Sequence, residues 1–260
     1  MHRFVFTACL SLLLFNKNPS ASEYSIVSFA KNGTLKMLYD NRMYPQAVKL
    51  GQNVYFVWRG ENGYPFVNSF NPTSRLLGQA HMLLSGSEDT INKKRYRNDH
   101  HYAPVIWADA RGHLHTLFGC HRTPGVHLVS VKTKDHIQWR IGTRIAPSIS
   151  YPKVHQIYGG KTLIYYRDEG HLGYWQYRIS EDHGETWEAR DQPLVDMNAP
   201  PHDATHASHA GSYHTTRVSA DGKTLHVAFV WKMENELPNT RYAQTLHDHT
   251  RRHNLYYLKL

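Results

Sequence analysis

Cysteine is nearly missing from this chain of 260 residues, which contains only Cys9 and Cys120. So few cysteines exclude a fold that is held together by several disulfides. Glycine (17 residues) and proline (12 residues) are too scarce for a collagen-like or low-complexity chain. A mean hydropathy of −0.59 excludes a membrane protein with several spans. The sequence therefore predicts a globular protein that is stabilised by its own hydrophobic core.

Acidic residues are also in the minority. The chain has 30 lysines and arginines against 21 aspartates and glutamates, a formal net charge of +9, and it has 20 histidines in addition. A basic surface favours polyanionic partners such as nucleic acid, anionic lipid or an acidic polysaccharide.

The first 22 residues have the pattern of a secretory signal peptide. Arg3 supplies a positive charge, residues 4–15 form an apolar run too short to span a bilayer, and residues 20–22 are small. We expect cleavage near residue 22 and a secreted or periplasmic protein, residues 23–260, without a membrane span. Cleavage would leave Cys120 as the single cysteine. Secretion also argues against a nucleic-acid partner despite the positive charge.

The mature sequence favours β-structure. No segment after residue 23 repeats its apolar residues with a helical period. Short runs rich in valine, isoleucine and aromatic residues are instead bounded by glycine, asparagine and aspartate, which is typical of an all-β protein. These runs are residues 53–58, 105–108, 113–118, 126–131, 162–166, 174–179 and 224–230.

Four segments repeat one pattern, in which a turn glycine is followed by an apolar strand that ends in an aromatic residue. The glycines are Gly51, Gly112, Gly160 and Gly222, separated by 61, 48 and 62 residues. This period predicts a β-propeller built from four-stranded antiparallel blades.

A turn motif at residues 180–187 supports the propeller. The sequence Ser-Glu-Asp-His-Gly-Glu-Thr-Trp matches S-x-D-x-G-x-T-W, the Asp-box turn between the outer strands of blades in sialidase-like and BNR-repeat propellers. The aspartate and glycine make the tight turn, and the threonine and tryptophan anchor it to the blade. The alternative is a chance turn in a β-sandwich.

The chain length predicts a short propeller. At ~50–60 residues per blade, residues 23–260 make four to five blades, so we expect the propeller to be small, open or incomplete at its C-terminus. An open array exposes strand edges with unpaired backbone groups. We therefore expect marginal stability or self-association through those edges.

Four candidate functional side chains occupy matching positions in two adjacent blades. His101 lies where the chain enters the first strand of one blade, and His121 lies where the second strand of that blade ends. Tyr151 and Arg167 hold the corresponding positions in the next blade. Because the ends of paired strands are neighbours, we expect the four side chains to converge at one end of the blades, where propellers bind ligands.

These residue types suit chemistry at a uronic acid. An arginine binds a carboxylate through two parallel hydrogen bonds, and an imidazole or a phenol can transfer a proton. A tyrosine beside cations is expected to have a lowered pKa and to accept a proton. The set predicts β-elimination, in which the carboxylate is neutralised, a base removes the C5 proton and an acid protonates the departing O4. A glycosidase would need paired carboxylates, of which the candidate blade ends supply few.

Several of these segments together resemble a known family. They are Asp99-His-His-Tyr-Ala-Pro104, the strand from Gly112 to His121, Tyr151-Pro152, Tyr165-Tyr-Arg167 and the Asp-box. They resemble BNR-4-type propellers, and more specifically the ulvan lyases of polysaccharide lyase families 24 and 25.

The resemblance implies a lyase that cleaves ulvan, an acidic sulfated polysaccharide, and leaves an unsaturated uronate at the new non-reducing end. It implies that His101 and Tyr151 take the base and acid roles, that His121 with Arg167 neutralises the uronate, and that catalysis requires no cofactor. The family usually has asparagine where this chain has Tyr102, which makes His100 the alternative catalytic histidine.

The blade register adds two substrate-binding candidates. Counting back from the turn glycine Gly222 brings His214 into the register of Pro152 and Tyr213 into the register of Tyr151. Tyr213 and His214 are therefore expected to face the same end of the propeller as Tyr151.

Other histidines receive weaker assignments. Relatives can carry a structural zinc, and His171 and His183 are the nearest candidates here for a structural zinc or calcium, although they lack a partner thiolate. His113 and His115 alternate along one strand and are expected to face solvent.

Two other functions fit the same fold. One is a BNR-repeat glycoside hydrolase, and the other is a carbohydrate-binding propeller without turnover. Ultraviolet absorbance discriminates among them, because only a lyase makes a conjugated unsaturated uronate.

Overall fold

The computed structural model describes residues 28–34, 42–61, 63–83, 99–168, 174–189, 194–195, 209–210, 213–233 and 251–260. The chain divides into two compact units, residues 1–31 and residues 32–260, and every strand lies in the second unit. The predicted signal peptide and the candidate metal ligand His171 lie outside the described residues. Among the described residues, no helix is long and apolar enough to cross a membrane.

Seventeen antiparallel strands form four sheets in the described part of the chain. The first sheet contains β1 (Ala47–Leu50), β2 (Asn53–Arg59), β3 (Pro65–Asn71), β4 (Leu76–Leu77) and β5 (His81–Met82). The second contains β6 (Val105–Ala108), β7 (Leu114–Phe118), β9 (Val126–Ser130) and β10 (Trp139–Ile141). The third contains β8 (His121–Thr123), β11 (Ile149–Ile157), β12 (Lys161–Arg167) and β13 (Trp175–Ser180), with a 3-10 turn at Tyr158–Gly160. The fourth contains β14 (His209–Ala210), β15 (His214–Val218), β16 (Leu225–Met233) and β17 (Arg251–Lys259).

The sheets follow one another along the chain, with one exchange between neighbours. The second sheet has the order β10-β9-β7-β6, and the third has the order β13-β12-β11-β8. Strand β8 follows β7 in sequence but pairs with the start of β11, so that His121 lies opposite Ser150. This exchange joins the second sheet to the third. The arrangement confirms the predicted all-β fold of four-stranded antiparallel blades.

The repeated glycines make the turns that the sequence predicts. Gly112 and Gly222 have φ angles of 88° and 73°, in the left-handed region that favours glycine. At Gly222 a Cβ atom would also lie 2.7 Å from the backbone nitrogen of Tyr158. Any other residue there would strain the turn and push apart the third and fourth sheets.

Hydrophobic side chains fill the spaces between the sheets. One cluster packs the first sheet against the second and includes Val67 and Leu114, and a larger cluster includes Val105 and Ile164, all fully buried. Complete burial of a side chain of this size stabilises the fold by ~1.5–3 kcal/mol. This packing stabilises a fold whose described cysteine, Cys120, forms no disulfide.

The prediction that His115 faces solvent is wrong. His115 lies on β7, which is paired on both sides, by β6 and β9, and every residue of β7 is buried. A strand inside its sheet, with other sheets packed on its faces, has no solvent side. His113 is partly buried, and its Nδ1 lies 2.9 Å from the carbonyl oxygen of Ser130.

The turn at residues 180–187 is organised by Asp182. Its carboxylate accepts hydrogen bonds from the hydroxyl of Ser180 (2.9 Å) and from both the backbone N–H (2.9 Å) and the hydroxyl (2.6 Å) of Thr186. A Cβ atom at Gly184 would lie 2.9 Å from the His115 ring. The turn therefore packs the end of the third sheet directly against the second.

Among the strands that the structure describes, β17 pairs only with β16, and two of its apolar side chains are exposed. In β17, Leu255 is 77% exposed and Tyr257 is 61% exposed. The predicted self-association through blade edges stays a prediction.

Candidate active site

The two histidines of the predicted quartet lie side by side. His101 is in the loop before β6, and His121 is the first residue of β8. Their ring centroids are 4.0 Å apart, with an angle of 35° between the ring planes. The two side chains are 17% and 16% exposed, so a ligand can reach both imidazoles.

One carboxylate binds both imidazoles. The two oxygens of Asp99 accept hydrogen bonds from Nδ1 of His101 (2.7 Å) and Nδ1 of His121 (2.6 Å), and one of them also accepts from the backbone N–H of His101 (3.0 Å). Partial burial opposes ionisation of Asp99, but these hydrogen bonds outweigh it and hold its pKa far below the usual range. The carboxylate is therefore ionised and fixes the orientation of both rings.

The first sheet holds the loop that carries Asp99. Arg59, the last residue of β2, is almost fully buried. Its Nη1 donates a hydrogen bond of 2.5 Å to the backbone carbonyl of Asp99, and its Nε donates to the carbonyl of Gly63 (3.2 Å). The position of the histidine pair thus depends on the first sheet through Arg59, and His121 itself begins β8 of the third sheet.

Tyr151 lies beside the histidine pair because of a bulge in β11. The register of β11 against β12 shifts between Ser150 and Lys153, and Tyr151 has a φ angle of 56°, which is unusual for a large side chain. The centroid of its ring is 5.7 Å from that of His101 and 6.3 Å from that of His121. Strained backbone of this kind often accompanies functional sites.

Arg167 lies against Tyr151. It is the last residue of β12, opposite Ser150, and its Cζ is 4.7 Å from the centroid of the Tyr151 ring. Burial raises the pKa of Tyr151 above its ordinary value, and the charge of Arg167 opposes the rise without cancelling it. The expectation that the pKa of Tyr151 lies below its ordinary value is therefore wrong, although the nearby cations do act in that direction. Tyr151 keeps its proton near neutral pH, which suits it to act as an acid.

The structure brings Tyr213 to the quartet. Its ring meets the Tyr151 ring edge-on, with centroids 5.2 Å apart, and Cζ of Arg42 lies 4.3 Å from its centroid. Tyr213 is only partly buried. It therefore lies where a ligand next to Tyr151 would meet it.

His214 lies deeper. Its Nδ1 is 2.6 Å from the hydroxyl of Tyr165, and its ring stacks between Trp175 (4.0 Å) and Phe229 (4.4 Å). Burial, with the positive charges of Lys153 and Arg167, lowers its pKa well below the usual value. His214 is 3% exposed, so it supports the layer beneath the candidate site.

His100, the alternative catalytic histidine, lies at the edge of the site. Its ring centroid is 4.0 Å from that of His101, and the residue is exposed. Unlike His101, His100 has no hydrogen bond to Asp99 among the contacts of the described residues. The carboxylate therefore orients His101 and His121, which favours His101 for the base.

The described residues contain one group of three side chains that could hold a metal ion. It is formed by Asp99, His101 and His121, whose ligand atoms all lie within 4.8 Å of one another. His183, predicted as a weak metal ligand, lies in the turn at residues 180–187 and belongs to no such group in this part of the chain. The prediction of a structural zinc or calcium stays untested.

Sequence reasoning missed Asp99 and Arg59. Asp99 stands two residues before His101, where a carboxylate can bind a neighbouring imidazole, but only the fold reveals that it also reaches His121. Arg59 follows Gly51 by eight residues, much as Arg167 follows Gly160 by seven. The blade register therefore carried a signal for Arg59.

Comparison with protein families gives one match that covers most of the chain. The family model described as "BNR repeat-containing family member" matches residues 74–260. Among curated proteins, an ulvan lyase from Alteromonas sp. (strain LOR) is 23% identical over an alignment of 188 residues, and the alignment covers 66% of this chain and 38% of that protein.

Solved structures share the fold. A polysaccharide lyase described as PL25-Ulvanlyase, bound to -[GlcA(1-4)Rha3S]-, superimposes with a TM-score of 0.71 and 21% identity over 89% of this chain and 54% of that one. An α-L-arabinofuranosidase from Fusarium graminearum superimposes with a TM-score of 0.50 and 10% identity over 83% of this chain and 63% of that one. The chain spans about half the length of the ulvan lyase structure and less of the curated relative.

Proposed function

The chain belongs to the BNR repeat-containing family, and from that premise we propose that it is a secreted lyase that cleaves a sulfated polysaccharide containing uronic acid, such as ulvan, by β-elimination. The observation that carries the proposal is the cluster formed by His101, His121, Tyr151 and Arg167. The likeness to two ulvan lyases supports it. Secretion through a signal peptide at residues 1–22 would bring the protein to such a substrate.

Asp99 determines which histidine atom is basic. An ionised carboxylate can only accept hydrogen bonds, so Nδ1 of His101 and Nδ1 of His121 both carry protons. In each neutral ring the lone pair is then on Nε2. We assign Nε2 of His101 as the base that removes the C5 proton of the uronate.

The elimination can be written with these groups alone. The C5 proton moves to Nε2 of His101, the electron pair of the C5–H bond forms the C4–C5 double bond, and the C4–O4 bond breaks. Tyr151 gives its proton to the departing O4, which becomes the hydroxyl of the other product. Arg167 supplies positive charge for the uronate carboxylate, which acidifies C5, and His121 adds a second positive charge when both of its ring nitrogens carry protons.

The proposed mechanism requires the substrate to reach the hydroxyl of Tyr151. Tyr151 is about as buried as Arg167, and both are nearly inaccessible. Proton transfer to O4 therefore requires the substrate to open the space around the Tyr151 hydroxyl. Tyr213, the partly buried ring that lies edge-on to Tyr151, is the group that we expect to move and to bind substrate.

The test is incubation of the full chain with ulvan, followed by ultraviolet absorbance. A lyase produces an unsaturated uronate and the absorbance rises with each cleavage. A rise in reducing ends without ultraviolet absorbance would indicate the glycoside hydrolase alternative, and binding without either signal would indicate a carbohydrate-binding propeller. Both outcomes would contradict the lyase.

The alternative function, a glycoside hydrolase, is supported by the fold that this chain shares with the arabinofuranosidase. Glycoside hydrolysis needs an acid and a second carboxylate on opposite sides of the bond. Asp99 contacts the histidine pair, but both of its oxygens are already engaged by imidazoles. The geometry of the site therefore favours elimination.

A further inference from the structure

The cluster of Asp99, His101 and His121 has the composition of a transition-metal site. Zinc is commonly bound by two imidazoles and one carboxylate, with a fourth position left to water. The three candidate ligand atoms lie within 4.8 Å of one another. All three side chains are partly exposed, so a metal ion and a water ligand can reach them.

The required rearrangement is small. Zinc–ligand bonds of ~2.0–2.2 Å in a tetrahedron separate neighbouring ligand atoms by ~3.3 Å. Nδ1 of His101 and Nδ1 of His121 now lie 2.7 and 2.6 Å from the Asp99 oxygens. The two contacts are to different oxygens of Asp99, and each must widen by about 0.6–0.7 Å. The widest separation in the group, which is at most 4.8 Å, must shorten to the same ~3.3 Å. Rotations of the three side chains can provide these changes.

Metal binding and base catalysis need opposite tautomers of the same rings. A metal on the Asp99 side takes the lone pair of Nδ1, so the proton of each neutral ring moves to Nε2. Nε2 of His101 then carries a proton and cannot accept another from C5. The rings stay neutral, and no oxidation or reduction is involved.

We propose that Asp99, His101 and His121 form a binding site for a divalent transition metal of the zinc type, and that the bound metal inhibits the enzyme. The inhibition rests on the proposed lyase function, whereas the binding does not. The site is thus distinct from a structural metal site, because its occupancy would cost activity.

Binding is tested on the full chain after removal of metals with EDTA. Zn²⁺ is titrated by calorimetry, and Co²⁺ is titrated by visible absorbance, which reports tetrahedral coordination. Asp99→Asn and His121→Gln remove one ligand each, and His136→Gln is the control, because His136 lies elsewhere and contacts the carbonyl of Gln79. Loss of an outer-shell partner typically costs ~10–100-fold in metal affinity. We expect the ligand variants, which lose a ligand itself, to lose at least ~10–100-fold for this site and the control to match the wild type.

Circular dichroism checks that each variant is folded. If Asp99→Asn does not fold, the affinity of His121→Gln for Zn²⁺ decides whether these residues bind the metal. Wild-type affinity and stoichiometry in the ligand variants would overturn the metal site. The second measurement follows ulvan cleavage with increasing Zn²⁺. We expect inhibition at the concentration that fills the site, with recovery after EDTA.

The metal titrations test the binding site, and the cleavage assay with added Zn²⁺ tests the inhibition. Filling of the site without loss of rate, or with a higher rate, would overturn the inhibition. A metal-free protein without lyase activity would contradict the proposed function, while the titrations with Zn²⁺ and Co²⁺ would still decide the binding site.

Discussion

A buried pair of histidines between the second and third sheets should make the fold sensitive to acid. Nδ1 of His115 lies 3.0 Å from Nε2 of His127, and Nδ1 of His127 lies 2.9 Å from the carbonyl oxygen of Thr143. Because the carbonyl can only accept, His127 carries its proton on Nδ1 and receives one from His115 at Nε2. Nε2 of His115 lies 3.5 Å from an oxygen of Asp109, which favours the protonated ring, but burial is the larger effect and lowers the pKa of both histidines. Both rings are therefore neutral near neutral pH, and both stack on Trp107.

The size of the effect follows from the pKa of His127. Burial, together with repulsion from His115, lowers this pKa from 6.5 to about 4. Between these values the unfolded chain binds a proton that the folded protein does not, so the free energy of unfolding decreases as the pH falls. From about pH 7.5 to about pH 5, this one group removes about 2 kcal/mol. His155, whose pKa is lowered to about 4 by burial and by Lys153, should remove a similar amount.

The assay is urea unfolding at several pH values for the wild type and His127→Asn. The asparagine amide can still donate to the Thr143 carbonyl but does not titrate. We expect the variant to be less stable near neutral pH because it loses ring packing, and to lose about 2 kcal/mol less than the wild type between about pH 7.5 and about pH 5. Val129→Ala, a buried neighbour on β9, is the control for packing alone and should lower stability equally at every pH.

Equal pH dependence in the wild type and His127→Asn would refute this account of His127. If the free energy of unfolding of Val129→Ala depended on pH differently from that of the wild type, the pH dependence would not be caused by titration of the histidines.

Three further predictions concern the candidate active site. Tyr151→Phe should keep the packing but lower turnover on ulvan by ~10²-fold or more with binding largely retained, whereas Tyr158→Phe, an exposed tyrosine, should act as wild type in the same absorbance assay. Arg167→Lys keeps the charge but loses the planar guanidinium, so we expect a marked loss of turnover, and full activity would contradict its role. His121→Ala should reduce turnover while His113→Ala does little to it; equal effects of the two would remove His121 from the mechanism.

The fold could be predicted because its signals are local. Turn glycines such as Gly112 and Gly222 need a φ angle that other residues rarely adopt, and they recur at the spacing of one blade. Each glycine leads into an apolar strand, so the sequence contains both the turns and the strands of a repeated sheet. The convergence of His101 with His121 followed from the same register.

What could not be predicted depends on contacts between blades. The burial of His115 comes from sheets packed on either side of β7, which no pattern within β7 reveals. The pKa of Tyr151 depends on a balance between burial and Arg167, and only the structure shows that burial is the larger effect. The bulge that turns Tyr151 toward the histidines is likewise invisible in the alternation of the strand.

The candidate site is best understood as one unit assembled from all four sheets. The first contributes Arg59, which holds the loop of Asp99 and His101, and that loop leads into β6 of the second. The third contributes Tyr151 and Arg167, and Tyr213 precedes β15 of the fourth. Because one carboxylate orients both imidazoles, His101 and His121 cannot change orientation independently. A substitution elsewhere that separates neighbouring sheets should therefore displace the base, the acid and the positive charge together, even though it replaces no residue of the site.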